Sequence, residues 1–88
     1  MVKTKHGTFE VRSITFGERR QMHMLAMKAY KNDQLDIDGY FALSDWIMKK
    51  AFDDYESQLK DFNDTEVDEI INDIYTYYKG LSKKKNSK

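Results

Sequence analysis

The chain has 88 residues, no cysteine, no proline, and equal numbers of basic and acidic side chains, 15 of each. That length supports one small domain of modest stability, to which a partner or self-association would add. The lack of cysteine excludes disulfides, thiol nucleophiles and thiolate metal sites, and no apolar run approaches the ~18 residues that would span a membrane. The opening "MVKTKHG" lacks the pattern of a signal peptide, so a soluble, cytoplasmic protein with no membrane partner is expected.

The neutral total hides an uneven distribution. Residues 1–31 carry seven Lys/Arg and two acids, residues 32–78 three and thirteen, and residues 79–88 five and none. A basic–acidic–basic order suits a chain folding back on itself or meeting partners of opposite sign; the plainer reading is two solvated faces.

The first element, "VKTKHGTFEVRSI" (residues 2–14), reads as a β-hairpin. Val2 and Thr4 alternate with lysines, Phe9 and Val11 alternate with Glu10 and Arg12, and His6-Gly7 supplies a two-residue turn. A lone hairpin is marginal in water, so it is expected to pack against a helix.

"TFGE" then forms a capping box, with Thr15 as N-cap and Glu18 reaching back. The helix it opens is expected from about Phe16 to Lys31. At 100° per residue Met22, Leu25, Ala26 and Ala29 share one face, while Arg20, Met24, Met27 and Lys31 line the opposite one. "NDQLDIDG" is polar and turn-like, with Asp36 and Asp38 available as caps.

The next helix, Gly39–Phe52, is apolar around most of its circumference and so expected at the centre of the domain. Only Ala42, Asp45 and Lys49 clearly face water, and Trp46 sits on the far flank. "DDYESQLKDF" has room for a short helix carrying Tyr55, Leu59 and Phe62. The last main helix, Glu66–Lys79, is capped by Asn63 or Thr65. It puts Val67, Ile70, Ile71, Ile74, Tyr77, Tyr78 and Leu81 on one face, and Gly80 is its expected stop. The fold class is therefore α+β and mostly helical. An N-terminal hairpin packs on three main helices in a single domain of residues 1–80, and residues 81–88 form a flexible basic tail.

Enzyme signatures are missing from the sequence. His6 and His23 have no H-x-x-x-H or H-E-x-x-H spacing, no glycine-rich phosphate loop exists, and no segment matches a twelve-residue calcium loop. No catalytic residue, cofactor or metal is expected. Arg12, Arg19, Arg20, Lys28 and Lys31, with the lysine tail, offer a basic patch for nucleic acid. The acidic middle of the chain and the acids on the outward face of the last helix oppose it, so nucleic acid is not an expected partner. Met is flexible and polarizable, so the Arg20–Met24–Met27–Lys31 stripe is the candidate partner-binding surface, adaptable to varied apolar targets. Its rival is burial of the same methionines under another helix.

In layout, and in the two stretches Phe16–Tyr30 ("FGERRQMHMLAMKAY") and Leu59–Tyr78 ("LKDFNDTEVDEIINDIYTYY"), the sequence resembles the small tail assembly chaperones of long-tailed bacteriophages. The resemblance implies a non-enzymatic protein of the host cell cytoplasm. Such a protein binds the tape measure protein and keeps it soluble while tail tube subunits polymerise, and it is absent from the finished virion. It also implies a gene with a programmed frameshift near its end. Lys84-Lys85-Asn86 can be written AAA AAA AAC, which contains a slippery heptamer. The alternative from another class is a small phage or bacterial regulator acting on nucleic acid or on a transcription complex. Self-association is open to either.

Overall fold

A computed structural model describes residues 1–31 and 34–83. Strands β1 (Val2–Thr4) and β2 (Gly7–Phe9) form the N-terminal hairpin, followed by α1 (Phe16–Ala29) and a second, minimal pairing of β3 (Tyr30–Lys31) with β4 (Gln34–Leu35). Helices α2 (Ile37–Ala51), α3 (Tyr55–Leu59) and α4 (Asp64–Lys83) complete the order. The fold is α+β and mostly helical, as expected. Helix α2 packs against both α1 and α4, and β1 packs on α4. No helix among the described residues is long and apolar enough to cross a membrane.

Each main helix starts where its cap dictates. Thr15 Oγ1 accepts from Glu18 N at 3.1 Å and Glu18 Oε1 accepts from Thr15 N at 2.8 Å, which closes the capping box. Asp36 accepts from Gly39 N at 2.8 Å and so starts α2 at Ile37, two residues before the expected Gly39. Asn63 and Glu66 make the same reciprocal pair at the start of α4, which settles Asn63 over Thr65.

Helix α4 itself starts at Asp64 instead of Glu66, and other boundaries differ from the sequence reading too. The hairpin turn is Lys5-His6, because Val2 faces Phe9 and Thr4 faces Gly7. Thr4 Oγ1 accepts from His6 N at 3.1 Å and donates to Gly7 O at 2.7 Å, which closes the turn one residue early. Gly7 follows it with φ +121°, a value that L side chains rarely adopt. The hairpin also ends at Phe9 instead of Ile14, since Arg12 N donates to Ala51 O at 3.0 Å and leaves no strand partner.

Helix α1 stops at Ala29 instead of Lys31. The returning chain takes the Ala29 carbonyl through Asp36 N at 2.7 Å, and Tyr30 pairs with Leu35. Gly80 does not end α4, which continues to Lys83 and so takes in the start of the expected tail. A glycine inside a helix costs only about 1 kcal/mol relative to alanine, and Gly80 does not take the positive φ that a stop would use. Residues 84–88, with the Lys84-Lys85-Asn86 run, lie outside the described residues, as does the side chain of Leu81.

The core joins the N-terminal hairpin to the helices. Met22 of α1, Ile47 of α2 and Ile70, Ile74 and Tyr78 of α4 are almost fully buried, with Val2, Leu43 and Phe52 beside them. Phe9 sends the hairpin into this core, edge-on to Phe52 and Phe62 at ring separations of 5.9 and 6.0 Å. The hairpin turn is held from outside by α4, where Glu69 lies 2.6 Å from His6 Nε2 and Asp73 accepts from Lys5 N at 3.0 Å.

Arg12 ties the layers together. Its guanidinium donates to the carbonyls of Lys49, Lys50 and Phe52 at 2.7–3.2 Å, capping the C-terminus of α2, where the helix dipole favours a cation. Its own carbonyl accepts from the Tyr78 hydroxyl at 2.7 Å. Burial pushes the Tyr78 phenol up to about 12. A raised folded value for an acid means that the neutral form is the one bound. This contribution is complete below pH ~10 and is lost as pH rises through 10 to 12. Alkaline unfolding followed by circular dichroism is therefore expected in that window. Tyr78→Phe should lower stability at neutral pH by about 1 kcal/mol and lose this part of the pH dependence.

Helices α1 and α2 touch at Gly39. A Cβ there would sit 2.9 Å from Ala29 Cα and from the Lys28 carbonyl oxygen, both backbone atoms with no side-chain freedom to yield. Gly39→Ala should therefore lower stability in urea titration by about 1–3 kcal/mol, despite the better helix propensity of alanine. Gly80→Ala, which meets nothing within 4 Å, should raise it by about 0.5–1 kcal/mol.

Candidate partner-binding surface

The α1 stripe emerges on the side of the helix opposite the core. Met24 is 62% and Met27 73% exposed, and Arg20 is exposed beside them, so no other helix covers these methionines. Lys31 is not part of the helical stripe, because α1 ends before it. It lies in β3, and its side chain is outside the described residues. The structure thus keeps Arg20, Met24 and Met27 together on one helix face and separates Lys31 from their periodicity.

The surface is wider than α1 alone. Gln21, Met24, Leu25 and Lys28 of α1 and Trp46 of α2 border a shallow groove of about 360 Å³. Leu25 and Trp46 also border a second groove of about 710 Å³, running on toward Arg12, Ser13 and the start of α1. The two half-buried side chains therefore mark the middle of a continuous furrow between α1 and α2. Sequence reasoning placed Leu25 on the buried face and left Trp46 undecided. Their positions on facing flanks of consecutive amphipathic helices were the available signal.

Other apolar side chains are also presented to solvent. Phe16 is 69% exposed, with the Arg19 guanidinium 5.5 Å from its ring centre. Ile37 and Phe41, one turn apart on α2, are each 60% exposed. This corrects the expectation that Ala42, Asp45 and Lys49 alone clearly face water on that helix. Its circumference is apolar because one flank meets the core while another stays open.

Electrostatics around the furrow are largely settled internally. Lys49 bridges Asp45 at 3.0 Å and Lys50 bridges Glu18 at 3.1 Å, with the Lys50 ammonium 5.8 Å from the Trp46 ring centre. The expected basic patch is correspondingly broken up: Arg12 caps α2 and Arg19 lies over Phe16, while Arg20 and Lys28 form no ion pair among the described residues. No group of three or more His, Asp or Glu placed to hold a metal ion occurs among the described residues. His6 is engaged by Glu69.

The hydrogen bond from the Thr15 backbone, then the Lys50 ammonium, hold the Glu18 carboxyl below its ordinary 4.5. A depressed carboxylate stabilises the fold above the unfolded value and loses that contribution as pH falls through the folded one. Below pH ~4.5 protonation releases Lys50 from its bridge, next to Trp46. Tryptophan emission is therefore expected to shift in that range for the wild type, and Glu18→Gln should flatten the transition.

Compared with family models, curated proteins and solved structures, the chain matches none.

Proposed function

We propose that this chain is a non-enzymatic assembly chaperone that binds an elongated helical client and keeps it soluble, with the tape measure protein of a phage tail as that client. The observation that carries the reading is the uncovered pair Met24 and Met27 on a basic helix face, beside a furrow floored by Leu25 and Trp46. A client with repeated apolar helical segments calls for an adaptable surface, and exposed methionine offers several rotamers to each segment at small cost. Arg20 and Lys28 at the rim favour acidic residues on the client. The resemblance to phage tail assembly chaperones supplies the client's identity. With it come contact with tail tube subunits, action in the host cytoplasm, and absence from the virion. A nucleic-acid regulator is less well supported, because Arg12 and Arg19 are already engaged within the fold.

Co-expression with the neighbouring tape-measure-like reading frame tests the proposal. Wild type is expected to retain the client in the soluble fraction and in a pull-down. Met24→Asp/Met27→Asp, whose altered positions lie outside the core, should fold by circular dichroism yet recover about tenfold less client or lower. Failure of wild type to hold the client overturns the reading. Binding of DNA that falls steeply with salt would favour the regulator instead.

A further inference from the structure

Serine and threonine hydroxyls within helices commonly donate to the carbonyl one turn earlier, as Thr76 of α4 does to Asn72 O at 3.0 Å. Ser44, in the middle of α2, does not. It is buried to 5% exposure against the apolar core, and its Oγ has no hydrogen-bond partner among the described residues. A hydroxyl taken out of water and left without a partner costs its full desolvation, so a buried one is expected to find a partner.

Ser44 lines a cavity of about 20 Å³ between α2 and α4. Ile47 and Ile71 form apolar wall, while Tyr40 on α2 and Asn72 and Tyr75 on α4 bring polar side chains to it. One water needs about 10–15 Å³ of such space and about two to four polar partners. The cavity therefore has room for one water and for no organic ligand. Tyr40 reports on the gap beside Ser44. Burial raises its phenol above the ordinary 10, the Ser44 hydroxyl opposes that shift, and Asp68 adds to it. The two hydroxyls, one turn apart, thus act on each other without a hydrogen bond at Ser44 Oγ. That is the relation of two polar groups joined through a water.

We infer that a single buried water binds in this cavity, held by the Ser44 hydroxyl and shared with the Tyr40 hydroxyl on α2 and with Asn72 and Tyr75 on α4. Cavities that stay dry are lined by apolar groups throughout, which this one is not. The water acts as a structural ligand: it satisfies Ser44 and ties α2 to α4 through polar contacts at a seam otherwise built from side chains such as Leu43, Ile47 and Ile71. The furrow is bordered by a different set of α2 residues, so the inference does not depend on the client reading.

Two measurements on the protein alone test the site. A crystal structure that resolves ordered solvent should show one oxygen in the cavity, about 2.7–2.8 Å from Ser44 Oγ. Oxygen-17 relaxation dispersion of the solvent counts long-lived internal waters and is blind to exchange of hydroxyl protons. Ser44→Val replaces the hydroxyl by a methyl group and adds another beside it. It should lose that oxygen and lower the dispersion amplitude by one water, with helical content unchanged by circular dichroism. Tyr40→Phe, which removes one partner, should shorten the residence of the same water. A wild-type cavity without density, a Ser44 hydroxyl bonded to the Tyr40 carbonyl, or equal dispersion from wild type and folded Ser44→Val overturns the proposal. If Ser44→Val does not fold, the wild-type density decides alone.

Discussion

The placement of Arg12 is the interaction on which the rest of this structure depends. One side chain caps the open end of α2 through three carbonyls, while its backbone N–H bonds to Ala51 and its carbonyl receives the Tyr78 hydroxyl. The connection from hairpin to α1 is thereby fixed against α2 and α4 together. A cation at a helix C-terminus satisfies carbonyls that have no partner within the helix. The same loop then delivers Thr15 to its capping position, so α1 starts where the furrow requires it to start. The orientation of the methionine face thus follows from a contact at the far end of the same furrow.

The second constraint is the near-contact of two backbones at Gly39 and Ala29. Helices normally approach within 8–10 Å, with side chains deciding the distance. Here a missing Cβ and a single methyl allow a close approach at one end, and the larger part of the furrow lies beyond Leu25 and Trp46, toward Arg12 and Ser13. A larger residue at position 39 would move the two edges of the furrow relative to each other.

Much of this was legible in the sequence, and the parts that were not have a common physical cause. Local signals worked: the capping box at Thr15, the cap at Asp36, the apolar face of α4 apart from the exposed Tyr77, and the buried trio Met22, Ala26 and Ala29 all follow from spacing within a few residues. What failed depended on contacts between distant segments. The hairpin shortened because Arg12 bonds to Ala51, and α1 shortened because Asp36 captured the Ala29 carbonyl. Gly80 was read by its usual role, yet the chain keeps negative φ there and the helix runs on. The candidate surface was half legible. Periodicity found Arg20, Met24 and Met27, but a single-helix projection cannot show that Trp46 of the next helix completes the same surface. Lys31 was included only because the helix was drawn two residues too long.

The hairpin's anchorage has a consequence for the order in which the molecule assembles. Its turn is held by Glu69 and Asp73, more than sixty positions further along, β1 packs on α4, and Phe9 meets Phe52 and Phe62. During synthesis on the ribosome, α1 and α2 can pair through neighbouring contacts as soon as both have emerged. Phe9 must wait with its ring uncovered until Phe52 and Phe62 are free, and Val2 until α4 is. Closing so long a loop comes late and slowly compared with helix pairing. The hairpin is thus made before the elements that cover it and is among the last parts to be folded.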